Sequence, residues 1–197
     1  MDIEQGKAAV RFARSAVEAE ASRSEVGKAP EGPGFSDPRG AFVTLNTYPG
    51  GSLRGCIGYP YPVMPLAEAI EGSARSACHD PRFPDLSPEE TDGIVVEVTV
   101  LTVPEAIPPM PPDEIAESIR IGRDGLMLEL AGYRGLFLPQ VPVEQGWDVQ
   151  EYLGFLSMKA GLPYGAWRDP RARLSRFEGE IFSETSPRGD VVRRDAE

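Results

Sequence analysis

The chain has few of the residues from which cross-links and metal sites are built. Its 197 residues include two cysteines and one histidine, and Cys56 and Cys78 do not fit a CxxC or zinc pattern. No stretch approaches the roughly 18 apolar residues of a membrane span, and the first ten residues lack the apolar run of a signal peptide. We therefore expect a cytoplasmic protein with no metal, no membrane association and two reduced thiols.

Positive charge is also scarce, since 20 basic residues face 31 acidic ones and the formal net charge is -11. Such a field repels phosphate backbones and disfavours nucleic-acid binding. A basic cluster beside Trp167 leaves RNA contact as a third reading, behind a solvated face that balances an acidic surface. Its members are Arg168, Arg171, Arg173 and Arg176. Phosphate-loop, dinucleotide, serine-hydrolase and zinc-protease motifs are absent, and the sequence names no cofactor.

Hairpins and helices follow one another without the strand–helix–strand alternation of a parallel sheet. We predict helices at 2–21, 65–78, 113–120 and between Asp148 and Gly161, and strands at 41–47, 53–59, 94–103, 125–130, 135–138 and 177–182. A loop is expected at 24–40 and a frayed tail from residue 183. This order predicts an α+β fold built on antiparallel sheet.

The segment Leu53–Gly58 places a cysteine between two glycines on the second arm of a predicted hairpin. Side chains alternate along a strand, so Arg54 and Cys56 are expected on one face. A guanidinium there would favour the thiolate, the reactive form of cysteine. Cys56 would then be a nucleophile, a redox centre or a covalent carrier activated by Arg54. The alternative is a small buried residue, with Arg54 in a structural ion pair.

A polar segment follows the predicted helix at 65–78. His79 could serve the thiol as a general base, although a solvent-facing histidine at a helix end is the simpler reading. Asp80 precedes a proline and could accept backbone amides in a turn. Arg82 could bind an anionic group or tie the turn to carboxylates.

Three more residues are candidates for the site. Glu97 interrupts an apolar strand, and if buried it must be paired or protonated, with Arg54 as a natural partner. Gln140 and Trp147 could line a pocket, although the tryptophan is more simply a core anchor.

The residues around Leu53–Gly58, whose sequence is LRGCIG, resemble the AMMECR family. The matching blocks keep the family's order from residue 5 to 182, and they are Phe42–Leu45, Leu53–Gly58, Asp80–Pro84, Glu97–Leu101, Ile121–Leu126, Leu138–Val141 and Glu144–Trp147. The resemblance implies two unequal α+β subdomains, each on an antiparallel sheet, with the signature residues lining a cleft between them. Residues 1–55 and 121–197 would form the larger subdomain, with both chain ends, and residues 56–120 the smaller one.

The resemblance also implies partners, because relatives in the family are fused or associated with Memo-like and radical-SAM proteins. It implies neither a reaction nor a cofactor. One hypothesis is an enzyme or enzyme component, with Cys56 as a thiol of lowered pKa, Arg54 as its activator and Arg82 as the anchor of an anionic substrate. The further site residues carried over are Asp80, Glu97, Gln140 and Trp147. The other hypothesis is a non-catalytic binding or scaffold module in which Cys56 is buried and inert.

Overall fold

A computed structural model of the protein describes residues 1–194, in which the chain forms two compact units. The first unit holds Met1–Leu101 and residues 180–194, and the second holds Thr102–Gly179. The predicted boundaries differ from this division. A boundary at residue 55 would cut a continuous strand, Leu53–Tyr59, and residue 120 lies inside the second unit.

The helices and strands mostly fall where the hydrophobic pattern predicts them. In chain order they are α1 (Ile3–Ser22), β1 (Ala41–Thr47), β2 (Leu53–Tyr59), α2 (Leu66–Ala77), a 3-10 helix (Pro88–Gly93), β3 (Ile94–Leu101), β4 (Glu105–Ala106), α3 (Pro112–Ser118), β5 (Gly125–Leu130), β6 (Tyr133–Phe137), α4 (Gln140–Gln145), α5 (Val149–Lys159), a 3-10 helix (Ala166–Arg168), β7 (Arg173–Phe177), β8 (Gly179–Glu184) and β9 (Val191–Arg194).

A five-stranded sheet in the order β2–β1–β3–β8–β9 forms the first unit, and the core lies between it and α1 and α2. Val17, Leu45, Ile70 and Val98 are fully buried there, and each contributes about 1.5–3 kcal/mol of transfer free energy. A capping box between Asp2 and Gln5 begins α1. This order leaves β2 at the edge of the sheet.

A buried ion pair ties α1 to the sheet. Nε of Arg14 donates to Glu184 at 3.0 Å, and the same guanidinium donates to the carbonyl oxygens of Thr91 at 2.9 Å and Ile94 at 2.8 Å. Glu184 also accepts the backbone N–H of Val96 at 2.9 Å. Because every charged atom has a partner, the pair is tolerated in a region that excludes water.

The second unit is a four-stranded sheet in the order β4–β7–β5–β6. Helix α5 packs on it, and the core contains Leu128, Tyr152 and Trp167. A capping box between Asp148 and Glu151 begins α5. Together the two units confirm the predicted α+β class with antiparallel sheets.

The prediction of a frayed tail from residue 183 is wrong for the residues that the structure describes. Strand β8 continues to Glu184, and β9 pairs with it antiparallel. Residues 195–197 lie outside the described part of the chain. The short helix α4 was also not predicted, because Pro142 within it and Gly146 after it read as a loop.

Across residues 1–194, none of the helices combines the length and apolar character needed to cross a lipid bilayer. The longest, α1, has 20 residues, and Glu4, Lys7, Arg11 and Arg14 recur through its first four turns.

We predict that Glu184→Gln lowers the free energy of unfolding by about 3–5 kcal/mol, because it leaves the Arg14 charge buried without a counterion. Glu71→Gln is the matched control. Glu71 pairs with Arg75 on the exposed surface of α2, where an ion pair contributes at most about 1 kcal/mol. Urea unfolding of the two variants measures the difference, and equal losses would show that the Arg14 pair is not a structural tie.

Candidate functional site

Cys56 lies on the face of the first-unit sheet that points away from α2. A Cβ built on its neighbour Gly55 would lie 2.3 Å from the carbonyl oxygen of Ala77, so Gly55 faces the helix and lets it approach. Side chains alternate along β2, which places Cys56 on the opposite face. Its side chain there is half-buried.

An ion pair occupies the outer edge of β2 beside Cys56. Asp80 accepts the backbone N–H of Cys56 at 2.9 Å, and Nη2 of Arg82 donates to the carbonyl oxygen of Cys56 at 3.3 Å. An edge strand presents such groups to any chain that can pair with them. The Asp80–Arg82 pair therefore takes the place of a neighbouring strand at Cys56, because it binds both the N–H and the carbonyl oxygen of this residue.

Asp80 is 1% exposed and remains charged. Its carboxylate also accepts the backbone N–H of Arg82 at 3.0 Å, Nε at 3.0 Å and Nη2 at 2.6 Å. The Arg82 side chain and, after it, the backbone of Cys56 hold the pKa of Asp80 well below its usual range. An acid with this pKa and these partners cannot act as a general base near neutral pH.

The sequence Asp-Pro-Arg occurs three times, and two of the copies, Asp80–Arg82 and Asp169–Arg171, form the same turn. In Asp169–Arg171 the carboxylate accepts the arginine backbone N–H at 2.9 Å, Nε at 3.0 Å and Nη2 at 2.8 Å. In the third copy, Asp37–Arg39, the arginine side chain instead donates to the carbonyl oxygen of Leu101 at 3.0 Å and to Glu180 at 3.1 Å, so the tripeptide alone does not fix the turn. What distinguishes Asp80–Arg82 is its docking on the backbone of Cys56.

Arg54 is engaged by Glu90 instead of Cys56 or Glu97. Nε and Nη2 of Arg54 donate to the Glu90 carboxylate at 2.8 and 3.1 Å, and its Cζ lies 5.9 Å from the ring centre of Phe83. The register shifts by one residue at this point of the hairpin, and Arg54 has no partner in it. A β-bulge of this kind redirects a side chain, so the alternation that would align Arg54 with Cys56 does not apply. The predicted Arg54–Glu97 pair is not formed.

A row of polar side chains crosses the sheet from Cys56. Thr44 on β1 is in register with Cys56 on one side and Glu97 on the other, and its hydroxyl donates to Sγ of Cys56 at 3.2 Å. Burial raises the pKa of Glu97, while Arg194 and the Ser183 hydroxyl oppose that rise. The face therefore combines a thiol, a hydroxyl and a carboxyl group whose pKa is shifted towards neutrality.

The pKa of Cys56 is raised, which reverses the expectation of a lowered value. Burial is the largest cause, and the negative charges of Asp80 and Glu97 add to it. The hydrogen bond from Thr44 and the charge of Arg82 act in the opposite direction. The thiol form is therefore favoured at neutral pH.

His79 and Cys78 do not join the site. Both ring nitrogens of His79 lie against carboxylates, Nδ1 2.9 Å from Asp85 and Nε2 3.1 Å from Glu20, and these bonds raise its pKa. Cys78 is 1% exposed, and burial raises the pKa of its thiol to about 12. Among residues 1–194, no three His, Cys, Asp or Glu side chains are grouped to hold a metal ion.

Gln140 and Trp147 belong to the second unit, whereas Cys56, Asp80, Arg82 and Glu97 belong to the first. Gln140 is the exposed first residue of α4. Trp147 stacks on Phe155, with ring centres 4.5 Å apart, and meets Phe137 edge-on at 5.5 Å. This aromatic packing favours the anchor reading of the tryptophan.

The predicted basic cluster of the second unit is partly engaged within the protein. Arg168 lies 4.3 Å above the Trp167 ring and donates to Gln150 at 2.6 Å. Arg171 is bound by Asp169. These contacts favour a surface role over RNA contact.

The AMMECR1 family model matches residues 10–182. This chain belongs to the AMMECR1 family. Protein MJ0810 of Methanocaldococcus jannaschii is 50% identical over 195 residues, which cover 98% of this chain and 97% of that protein. Protein TK0174 of Thermococcus kodakarensis is 47% identical over 197 residues, with 97% and 96% covered. A crystal structure of the uncharacterized protein PH0010 from Pyrococcus horikoshii has a TM-score of 0.81 and 45% identity, and covers 99% of this chain and 98% of that one. The resemblance seen in the sequence blocks is thus confirmed.

Two residues of this AMMECR1 site escape sequence reasoning. Glu90 binds Arg54 from a 3-10 helix, and nothing in its acidic surroundings distinguishes it from Glu89. Thr44 could have been found as the polar residue inside β1. If residues are paired one by one from the hairpin turn, however, Thr44 falls opposite Gly55 and not opposite Cys56, because the sequence does not reveal the bulge.

We predict that Gly55→Ala lowers the free energy of unfolding by about 1–3 kcal/mol, because the methyl group would overlap the Ala77 carbonyl oxygen and push β2 from α2. Gly93→Ala is the control, since its added carbon meets nothing within 4 Å. Urea unfolding compares the two. A Gly55→Ala protein as stable as the control would contradict the close approach of α2 to β2.

Proposed function

We propose that the protein is a cysteine-dependent enzyme or enzyme component that acts on an anionic substrate. Cys56 is the nucleophile, Arg82 anchors the negative group, and Glu97 carries the proton. One observation supports this most: the Asp80–Arg82 pair fixes Cys56 by its backbone while leaving its side chain half-exposed beside a guanidinium.

Arg82 suits the role of anchor because only part of its guanidinium is used. Asp80 takes Nε and Nη2, and Nη1 makes no hydrogen bond with any residue from 1 to 194. The Arg82 side chain is 56% exposed, in contrast to 12% for Arg54. A carboxylate or phosphate on Nη1 would lie next to Cys56.

The proposed proton steps use Glu97, which lies beyond Thr44 in the same row of side chains and whose pKa is raised by burial. The Sγ–H bond breaks and its proton passes to the Glu97 carboxylate, while sulfur forms a bond to an electrophilic substrate atom. The bond from that atom to its leaving group breaks, and the leaving group takes the electron pair and the proton that Glu97 holds. A carboxyl group whose pKa is raised by burial accepts this proton more readily than an ordinary carboxylate, and can return it.

The N–H of Cys56 is not part of this chemistry. Because Asp80 already accepts it, it cannot donate to a developing oxyanion, as the amide of a nucleophile does in many acyl-transfer enzymes. Stabilisation of developing negative charge falls to Arg82 instead.

Partners and location are part of the proposal. The family resemblance supports action together with Memo-like and radical-SAM proteins, and the scarcity of cysteine supports a cytoplasmic location with reduced thiols. A modification pathway would supply the electrophilic, negatively charged substrate that Arg82 and Cys56 require.

The raised pKa of Cys56 favours a second function, that of a non-catalytic binding or scaffold module for the same partners. In that case Asp80, Arg82 and Arg54 serve only to hold the edge of the sheet. Co-purification with a Memo-like protein, together with an unreactive Cys56, would support it.

For Cys56 we compare the rate of alkylation by iodoacetate with the rate of alkylation by iodoacetamide. We predict that the ratio of these two rates is about three- to fivefold higher in the folded protein than in the unfolded chain. The carboxylate of iodoacetate would be drawn to Arg82, and an exposed charge pair contributes up to about 1 kcal/mol. The preference should disappear in Arg82→Gln and persist in Arg171→Gln, whose arginine lies in the equivalent turn. Peptide mass spectrometry reads each site, with buried Cys78 as internal control.

A Cys56 that stays unmodified until the protein unfolds would overturn the enzyme proposal in favour of the scaffold function. If the ratio of the iodoacetate rate to the iodoacetamide rate is the same in the wild type and in Arg82→Gln, the thiol is reactive but the proposal of an anionic substrate is wrong.

A further inference from the structure

Thr44 faces Cys56 in a pairing that brings side chains close. Both backbone groups of Cys56 point outward to Asp80 and Arg82, so the Thr44–Cys56 pair is not hydrogen-bonded through its main chain. In antiparallel sheets such pairs have the shorter Cα separation, near 4.5 Å. This explains why the Thr44 hydroxyl reaches Sγ of Cys56 at 3.2 Å.

The register that makes this contact depends on the bulge. Asn46 pairs with Leu53, but Leu45 pairs with Gly55, and Thr44 therefore with Cys56. Without the extra residue, Thr44 would stand opposite Gly55, which has no side chain for its hydroxyl to meet. The bulge at Arg54 thus brings a hydroxyl to the sulfur, a role distinct from the electrostatic one predicted for Arg54.

We propose that Thr44 is a positioning residue for Cys56. The Thr44 hydroxyl donates a hydrogen bond to the sulfur of Cys56, favours the thiolate and sets the direction in which the sulfur points. The inference rests on the proposed function, since it assigns a role to Thr44 in the same site. It adds a residue from β1 to a site otherwise built from β2, β3 and the turn after α2.

The surroundings of the thiol make this hydrogen bond important. The charged groups that face Cys56 are Asp80 and Arg82 from the edge and Glu97 from β3. Two of the three are negative and oppose the thiolate, as does burial. The Thr44 hydroxyl lowers the pKa of Cys56 more than Arg82 does.

The test is a titration of Cys56 by NMR, using protein labelled with ¹³C at the cysteine Cβ. Thr44→Val removes one hydrogen bond to the sulfur. At a pH below the titration midpoint of Cys56, the thiolate fraction should therefore fall about fivefold, and the midpoint should move to higher pH. Thr44→Ser keeps the hydroxyl and should restore the wild-type midpoint. Thr99→Val is the control, because Thr99 lies on β3 opposite Phe42, one pair along the same face.

The inference is overturned if Thr44→Val titrates like the wild type, or if Thr44→Ser shifts as far as Thr44→Val. A merely structural role would loosen the site in both variants and leave the midpoint unchanged. Thr44→Ala replaces Thr44→Val if urea unfolding shows that the valine variant does not fold.

Alkylation of the same proteins separates this inference from the proposed function. If Cys56 titrates with the predicted shift but does not react before unfolding, Thr44 acts on the thiol and the enzyme proposal fails. If Cys56 reacts with an unchanged midpoint in Thr44→Val, the enzyme proposal stands and the role of Thr44 is wrong.

Discussion

The hydrogen bonds of the Asp80–Arg82 pair to the edge of β2 are the interaction on which the candidate site depends. A charged carboxylate can be 1% exposed only when its lone pairs are satisfied, and Asp80 achieves this with one backbone N–H of β2 and three donors from Arg82. The pair closes the edge against other strands, orients Cys56 and places a guanidinium beside the thiol.

Two opposing requirements meet at Cys56. Fixing the backbone needs a buried negative charge on Asp80, which disfavours a thiolate nearby, and burial of the sulfur has the same effect. Arg82 and Thr44 offset part of this effect. Cys56 is therefore a protonated thiol before reaction and not a preformed thiolate. For this reason the proposed chemistry needs a group such as Glu97 to accept the proton.

What could be predicted from the sequence was local. The hairpin of β1 and β2 and the turn at Asp80 were predicted from neighbouring residues, and the structure agrees with both predictions. Which of the three Asp-Pro-Arg sequences forms the turn, and which turn docks on a strand, is decided by residues far apart in the chain, as is the pairing of β8 and β9 into the first sheet. The one-residue bulge was also hidden, and it changed both the partner of Arg54 and the residue opposite Cys56.

Amide hydrogen exchange at Cys56 tests the central claim most directly. If Asp80 accepts this N–H in place of a neighbouring strand, the amide should be protected in the wild type, and Asp80→Ala should speed its exchange at least about tenfold. Asp169→Ala, which removes the aspartate of the equivalent turn, should leave it unchanged. A Cys56 amide that exchanges freely in the wild type, or keeps its protection in Asp80→Ala, would contradict the account.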